Sequence, residues 1–409
     1  MIVQNRTFAS LLFFLGMFLV CGDILSINAG GLNIKIAYPV FVIYVLVFAL
    51  NFGLDLNKRN LTIAVIFLVS LVPSVIFSTN VKVSVAFFVG AIMCIVMMMT
   101  FAKMAEILHE RTVDLLLWFY RFTVIITFFL VLTRIQTRGH FFFYEPSYWA
   151  ISLIPYFCIT AYRQSVSGFR SCYPDLLLIV MAVALSQSVS MVLWLAVSFF
   201  GVYLAGGKLK LKYCLWMVIA IIAFIFVAYH VHGRTKAIIS EVPAALEDPA
   251  SALGLLIFVV GNRAQRLLVA YNALVEHPWF GVGIGALKSY ASLFFSEDDF
   301  KLNGMSATDF TTDLNATNIY LEIAAEGGLT ALAGFFILLR YVYKRASTHV
   351  LTTPFRFAFV ISMISLLIES SYLRTYVWAL YGMMLGLSAS KQELPPRPHC
   401  FRMNKKSEK

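Results

Sequence analysis

The stretch KVSVAFFVGAIMCIVMMMTFA, residues 82–102, begins with Lys82 and continues with apolar and small residues to its end. An α-helix needs about 20 such residues to cross the hydrocarbon core of a bilayer. Similar runs recur along the chain, which has 409 residues and is 60% hydrophobic but only 13% charged. A soluble core could not bury so much apolar surface, so the sequence predicts that lipid is the solvent for most of the protein.

The apolar runs predict an all-α fold, a polytopic transmembrane helical bundle of about 12 spans. The seventh and eighth runs are short and meet at LSQSVS, residues 185–190, so they could instead form one bent unit. Counts of ten or eleven spans therefore stay open. The runs cover residues 8–26, 36–54, 61–78, 82–102, 113–133, 147–162, 174–188, 189–206, 213–231, 317–340, 354–372 and 375–390.

Lysines and arginines collect in alternate gaps between the runs, which predicts that both chain ends lie in the cytoplasm. On this topology residues 1–231 carry the first nine spans, and residues 232–316 form one large periplasmic loop. Residues 317–390 carry the last three spans, and residues 391–409 form a basic cytoplasmic tail. Long loops of this kind usually have a function, so the loop is the first place to search for a site.

The formal net charge of +11 raises the question of nucleic-acid binding, because basic chains attract phosphate backbones. The charges, however, occupy short gaps beside apolar runs rather than one continuous face, as in membrane proteins generally. The six cysteines show no CxxC spacing and lie mostly in or next to apolar runs. That pattern is typical of small hydrophobic residues and not of a zinc site or disulfides. We expect neither a nucleic-acid partner nor a metal.

Two segments of the loop predict helices. NRAQRLLVAYNALVEH, residues 262–277, indicates an amphipathic helix whose apolar side chains repeat every three or four residues. Its apolar set is Leu267, Leu268, Tyr271, Leu274 and Val275. SALGLLIFVVG, residues 251–261, is too short to span and could dip into the outer leaflet.

The stretch HPWFGVGIGALKSY, residues 277–290, contains three closely spaced glycines. A dinucleotide site has the spacing GxGxxG, and a phosphate-binding loop ends in GK[ST]. The spacing here is GxGxG without a following Lys-Ser or Lys-Thr. We therefore interpret Pro278, Gly281, Gly283 and Gly285 as a structural turn that closes the loop helix against the membrane.

Four segments carry motifs in a fixed order: FFYEPSYWA (142–150), LSQSVSMVLWLAVSFF (185–200), RAQRLLVAYNALVEHPWFGVGIGALKSY (263–290) and TNIYLEIAAEGGLTALAGFFILL (317–339). The motifs are a Phe-x-Glu-Pro-Ser segment, a serine-rich turn, an arginine-bearing helix with a P-x-x-G-x-G-x-G turn, and an Asn-x-Tyr-Leu-Glu helix. In this order they resemble the O-antigen ligase and polymerase superfamily. The resemblance covers about residues 150–340, whereas the first 130 residues agree only in hydropathy.

The resemblance implies glycan transfer at the periplasmic face of a bacterial inner membrane. The donor would be a glycan on undecaprenyl diphosphate, with no nucleotide sugar, no cofactor and no required metal. The implied partners are membrane lipids, undecaprenyl diphosphate-linked glycans, and a chain-length regulator and flippase of the same pathway. The expected pathway is the synthesis of O-antigen, capsule or exopolysaccharide.

Three residues are predicted to be catalytic. Arg263 and Arg266 are three apart and therefore neighbours on one helix, and their guanidinium groups match the oxygens of a departing diphosphate. A solvated helix face or a lipid head-group contact is the alternative for both. Glu145 precedes Pro146, so it could merely cap the next helix. Its functional alternatives are a general base on the acceptor hydroxyl and a carboxylate that orients the acceptor.

A wider set of residues is predicted to bind substrate. Asn318, Glu322 and Glu326 form an i, i+4, i+8 stripe, which either lines an outward cavity for sugars or forms an ion pair that fixes helix packing. Arg134 and Arg138 are outer cations that could hold the second carrier lipid. The complete set is Arg134, Arg138, Arg234, Lys288, Asn318, Tyr320 and Glu322.

Thr317 departs from the pattern of the ligases, which typically have a histidine just before Asn-x-Tyr-Leu. Without that imidazole as a base, the sequence favours a polymerase over an O-antigen ligase. A transporter or flippase for the same carrier lipid is the second alternative, and inverted repeats or broken helices would indicate it. Further charges are expected to be structural: Arg121 either pairs with Asp114 or snorkels, and Glu369 pairs with Arg374.

Overall fold

The computed structural model describes residues 2–22, 26–29, 32–35, 37–53, 57–205, 263–294, 316–347, 350–369 and 373–389, together with residues 240, 241, 243, 248 and 251. Most of the described chain is α-helical. The helices are α1 (Ile2–Cys21), α2 (Ala37–Phe52), α3 (Lys58–Ile76), α4 (Val81–Leu108), α5 (Arg111–Leu132), α6 (Pro146–Ser152), α7 (Ile154–Ser167), α8 (Tyr173–Ser186), α9 (Val189–Ala205), α10 (Arg263–Glu276), α11 (Leu287–Phe294), α12 (Ile319–Ala346), α13 (Thr353–Ser365) and α14 (Thr375–Ala389).

The helices follow the predicted apolar runs. Helices α3, α4, α5 and α12 are long and apolar enough to cross a membrane, and five shorter apolar helices cover other predicted spans. The chain is therefore a multi-pass membrane protein. The predicted ninth span, residues 213–231, and the basic tail, residues 391–409, lie outside the described residues, so the count of twelve stays a prediction.

One element departs from an all-α fold. Between α1 and α2, strands β1 (Ser26–Ala29) and β2 (Leu32–Lys35) pair antiparallel, with Ser26 opposite Lys35. The sequence did not predict this hairpin, because four residues are too few to establish an alternating pattern. The described fold is a helical bundle with one short hairpin.

Helices α4 and α14 pack closely against each other at two glycines. Gly382 and Gly386, one turn apart on α14, lie so close to α4 that a Cβ on either would overlap the carbonyl oxygen of Met98 or Ala102. Small residues permit such backbone contact between helices in a membrane. The result is a tightly packed α4–α14 pair.

The charge of Arg121 within α5 is neutralised by a different partner from the one predicted. Its Nε and one Nη donate to the two carboxylate oxygens of Asp175 on α8, at 2.7 and 2.9 Å. The Tyr156 hydroxyl of α7 donates to the same carboxylate at 2.9 Å. The prediction that Asp114 pairs with Arg121 is wrong, because the guanidinium group forms two hydrogen bonds with the carboxylate of Asp175 on a neighbouring helix.

Helix α12 is broken at Gly328, whose φ is +71° and ψ is −178°. We call residues 319–327 its first arm and residues 329–346 its second arm. Tyr320 and Phe336 would be about 24 Å apart along a straight helix, yet their rings stack with centroids 5.7 Å apart. The predicted tenth span is therefore a sharply bent unit, and its first arm folds back beside the second.

The predicted loop helix is present as α10, but its buried side chains are not those of the predicted apolar set. Val269, Ala270 and Ala273 are its buried side chains. Tyr271 and Val275, which belong to the predicted apolar set, are 56% and 59% exposed. In a membrane protein small side chains mediate close contacts between helices, whereas large apolar side chains can face lipid. Large apolar side chains therefore do not identify the buried face of α10.

The described part of the large loop packs against one end of the bundle. At this end, the Thr79 amide between α3 and α4 donates to Val282 at 2.9 Å, and the Gly139 amide after α5 donates to Leu185 of α8 at 2.8 Å. The Thr375 hydroxyl of α14 donates to Val20 of α1 at 2.6 Å. This is the end that the sequence assigns to the periplasm, and the assignment to that side stays a prediction.

Candidate functional site

Helix α10 and the first arm of α12 lie side by side and run in the same direction. At their starts, Arg263 donates to the carbonyl oxygen of Ile368 at 3.4 Å, and the Ile319 amide donates to Leu366 at 3.0 Å. Both acceptors belong to the turn between α13 and α14. We call α10 and the first arm the helix pair.

Four charged residues meet near the start of the helix pair, and we call Glu145, Arg263, Glu369 and Arg374 the charge cluster. Arg374 lies over the ring of Tyr148, with its guanidinium carbon 3.4 Å from the ring centroid. Arg374, Arg263 and Glu145 all act electrostatically on Glu369. Glu369 and Arg374 are buried, at 9% and 8% exposure, whereas Glu145 and Arg263 are exposed. The cluster thus has a buried pair behind an accessible pair.

The electrostatics of the cluster are dominated by burial. Burial raises the pKa of Glu369, the positive charges of Arg374 and Arg263 lower it, and the negative charge of Glu145 raises it, with a net upward shift. A buried carboxyl of this kind takes up a proton more readily than an exposed one. The charge of Glu369 therefore depends on its surroundings.

Helix starts surround the cluster. Helix α6 begins at Pro146 directly after Glu145, and α14 begins at Thr375 directly after Arg374. Arg374 also lines a small interior gap with Ile319 and Leu366, so the start of the first arm is close by. The N-terminal ends of α12 and α14 therefore lie next to Arg374, and α10 begins with Arg263. The helix dipole is positive at these ends, which favours a bound anion.

The opposite end of the helix pair is closed by the predicted glycine turn. Gly281, Gly283 and Gly285 all have positive φ, at +66°, +109° and +72°. The Val282 and Gly283 amides donate to the carbonyl oxygens of Ala325 and Glu326 at 3.0 and 2.9 Å. A Cβ on Gly283 would overlap Ser78, and one on Gly285 would overlap the Phe87 ring. The turn leaves no space for a phosphate at these positions.

Pro278 and Trp279 complete this closure at the bend of α12. The Leu329 amide donates to the Pro278 carbonyl oxygen at 2.8 Å, and the Thr330 hydroxyl donates to that of Trp279 at 3.0 Å. A Cβ on Gly328 would overlap the Trp279 carbonyl group. The bend and the turn therefore fix each other.

Glu326 connects the bend to the start of α11. It is 5% exposed, and its Oε2 accepts from the Gly285 amide at 2.8 Å. The Leu287 amide, at the first residue of α11, also donates to this carboxylate. An acid in that position is stabilised by the helix dipole, so Glu326 has a clear structural role.

The residues of the Asn-x-Tyr-Leu-Glu segment lie in the first arm. The Asn318 side chain caps the arm by accepting from the amides of Tyr320 and Leu321, both at 3.0 Å. The Tyr320 hydroxyl donates to the Met363 carbonyl oxygen at 3.0 Å, and Glu322 is buried at 3% exposure. These contacts position the arm, and the predicted roles in substrate binding stay predictions.

The remaining predicted cations are dispersed. Arg138 donates to Gln187 at 2.9 Å and to Ser186 at 3.4 Å, at the carboxyl end of α8, where a cation suits the dipole. Arg134 is exposed beyond α5, while Arg266 and Lys288 are half-buried on α10 and α11. Arg234 lies outside the described residues.

Glu369 and Arg374 are the site residues that sequence reasoning missed, since it expected only a mutual pair. Their signal was present, because Glu369 lies near the end of the predicted run 354–372 and Arg374 lies in the gap that follows it, and charges at such positions are costly and often mark a functional site. Their neighbours, Glu145 and Arg263, lie more than 100 positions away in the chain, so only the fold brings them together. Within the described ranges no group of three or more His, Cys, Asp and Glu side chains could hold a metal ion.

A comparison with protein families gives an independent indication of function. Residues 176–336 match a family described as O-antigen ligase. The match covers less than half of the chain, from α8 into α12, and includes the helix pair and the glycine turn. Members of this family are membrane enzymes that transfer glycans, and the match does not separate ligases from polymerases. No curated protein matches the chain.

Proposed function

We propose that the protein is a membrane glycan polymerase. It transfers a growing polysaccharide from undecaprenyl diphosphate to the end of a lipid-linked repeat unit at the periplasmic face of the inner membrane. The family match over residues 176–336 supports glycan transfer. Thr317 supports polymerase over ligase, because the histidine typical of ligases is replaced by a residue that cannot act as a base.

The observation that carries the proposal is the meeting of Arg263 and Glu145 at the charge cluster, although they are distant in sequence. A carrier lipid has an apolar tail and a diphosphate head, so its enzyme needs cations beside a lipid-accessible surface. Arg263 is exposed at the start of α10, and Arg266 follows one turn later. Guanidinium groups at a helix start suit a diphosphate through both charge and geometry.

The chemistry balances with these residues alone. The acceptor hydroxyl oxygen attacks the anomeric carbon of the donor glycan, and the bond from that carbon to the diphosphate oxygen breaks. The electron pair leaves with the diphosphate, whose charge Arg263 and Arg266 stabilise. Glu145, which is exposed and therefore accessible to an acceptor, takes the hydroxyl proton.

Purified protein with lipid-linked repeat units in detergent tests this proposal. We expect polymer from the wild-type chain and at least about a hundredfold less from Arg263→Ala. Arg263→Lys should recover part of the rate, because the charge remains but the bidentate fork does not. Arg170→Ala is the matched control, since Arg170 is an exposed arginine at the opposite end of the bundle. Equal rates for Arg263→Ala and Arg170→Ala would count against the mechanism.

A ligase that transfers the finished chain to lipid A core is the second candidate, favoured by the description of the matching family. Gene deletion followed by gel analysis of lipopolysaccharide separates the two. Single repeats on the core indicate a lost polymerase, and a bare core indicates a lost ligase. On the polymerase proposal a chain-length regulator and a flippase of the same pathway act with the protein.

A transporter of the carrier lipid is the third candidate, because α12 is broken at Gly328 and broken helices occur in transporters. The glycine turn, however, packs against this break and donates backbone hydrogen bonds to residues 325 and 326. Polymer formation by purified protein would remove this candidate.

A further inference from the structure

The charge cluster holds as many acids as bases before any substrate arrives. Arg263 and Arg374 contribute two positive charges, and Glu145 and Glu369 contribute two negative charges when both are ionised. A lipid-linked diphosphate diester brings two more negative charges. Binding therefore places four negative charges around three guanidinium groups, those of Arg263, Arg374 and the proposed diphosphate ligand Arg266, so one negative charge is in excess unless one carboxylate is neutralised.

Burial determines which carboxylate is neutralised. Glu145 is exposed, so water screens its repulsion of the diphosphate. Glu369 is 9% exposed and lies behind Arg374 and Arg263, so its repulsion is screened much less. The groups that face Glu369 are Arg374 at the start of α14, Arg263 of α10, and Glu145 and Tyr148 at the start of α6.

We propose that Glu369 is the resident counter-ion of the diphosphate site and takes up one proton from solvent when a lipid-linked diphosphate binds. In the empty protein its carboxylate, together with that of Glu145, balances Arg263 and Arg374. In the complex the diphosphate replaces that negative charge, and Glu369 becomes neutral. The inference rests on the proposed function, because it assumes that the charge cluster binds the carrier head.

The raised pKa of free Glu369 is consistent with this exchange, because an added anion raises the pKa of a nearby carboxyl further. Uptake of one proton on binding means that affinity increases as the pH falls. The affinity changes by at most about tenfold per pH unit. This dependence applies between the pKa of Glu369 in the free protein and its higher pKa in the complex.

Binding of farnesyl diphosphate esterified with glucose to the purified full-length protein tests the inference between about pH 5.5 and 8.5. The diester does not titrate in this range. We expect wild-type affinity to increase as the pH falls. Glu369→Gln, which is always neutral, should bind with an affinity that changes little with pH and is roughly tenfold higher than wild type at the alkaline end. Glu145→Gln should keep the wild-type slope.

A second measurement does not depend on the folding of any variant. Calorimetry of wild-type protein in HEPES and in Tris, whose ionisation enthalpies differ, should reveal uptake of up to one proton per diphosphate bound. Equal enthalpies in the two buffers, or an unchanged slope in a folded Glu369→Gln protein, would overturn the inference and leave the proposed function standing. Failure of wild-type protein to bind the probe at any pH would overturn both.

Discussion

The two ends of the helix pair differ in what holds them. At the turn end, the Val282 and Gly283 amides donate to the backbone at the bend of α12, and the Pro278 carbonyl oxygen accepts from it. No added atom would fit at Gly283 or Gly328. At the charged end, side chains from three distant parts of the chain meet, and Arg263 and Glu145 remain exposed. Backbone contacts close the turn end, whereas the charged end has exposed charged side chains.

On the proposed function, the most conspicuous motif of the sequence is not the site. The sequence of the GxGxG turn resembles that of a phosphate-binding loop. The amides of Val282 and Gly283, however, donate to the carbonyl oxygens of Ala325 and Glu326. A rigid turn fixes one end of α10 and the first arm, which positions the charged side chains at the other end. Substitutions at the turn should therefore act on stability, and substitutions at the charged end should act on activity.

Gly328→Ala should have the largest effect. Its φ is +71° and its Cβ would overlap the Trp279 carbonyl group, so strain and overpacking add to a cost of about 5 kcal/mol. The thermal midpoint in detergent measures it. Gly53→Ala is the matched control, because Gly53 has the same φ of +71° with no atom within 4 Å of an added Cβ. Equal losses for the two variants would show that the contact with Trp279 is unimportant.

Arg374→Ala should reduce both stability and activity. Arg374 is 8% exposed over the Tyr148 ring, and its removal leaves the Glu369 carboxylate buried with less compensation. Breaking a buried charge pair typically costs about 3 kcal/mol or more. Arg263→Ala should lose activity with an unchanged midpoint, since Arg263 is exposed. A normal midpoint for Arg374→Ala would show that the buried pair does not stabilise this end.

Glu326→Ala should lower stability by about 2 kcal/mol, because the buried amides of Gly285 and Leu287 would lose their acceptor. The amount of polymer made per folded molecule should not change. Comparing the denaturation midpoint with the polymer yield separates the two quantities. A selective loss of polymer would instead place Glu326 among the residues that bind substrate.

Tyr290→Phe should have the smallest effect, about 1 kcal/mol. The Tyr290 hydroxyl of α11 donates to Glu276 at the end of α10 at 2.8 Å, and the substitution removes this bond while it keeps the ring. The midpoint in detergent again measures the change. A loss several times larger would mean that the hydroxyl holds α10 and α11 together more strongly than one hydrogen bond does.

Local patterns predicted much of the fold. The runs at 61–78 and 82–102 correspond to α3 at Lys58–Ile76 and α4 at Val81–Leu108, because the hydropathy of a span depends only on its own residues. The bend at Gly328 could not be predicted in the same way. Gly327 and Gly328 interrupt an otherwise helical pattern, but the sharp reversal depends on the distant turn that packs into it.

The charged end was predictable only in part. Arg263 and Glu145 were found through a resemblance, whereas Glu369 and Arg374 have no motif and join the cluster through tertiary contacts. The apolar set of α10 does not mark its buried face, because the large side chains Tyr271 and Val275 are exposed and the small Ala270 and Ala273 are buried. Amphipathic patterns assume water outside the protein, and lipid removes that assumption.

Labelling of single cysteines in cells tests the central claim, that the charge cluster is open to the periplasm. Leu367, next to the cluster, and Phe169, at the opposite end of the bundle, are 49% and 57% exposed. In a chain whose six own cysteines are replaced, a membrane-impermeant maleimide should label Leu367→Cys in intact spheroplasts and Phe169→Cys only after lysis. The reverse pattern would place the cluster in the cytoplasm and contradict the proposed reaction.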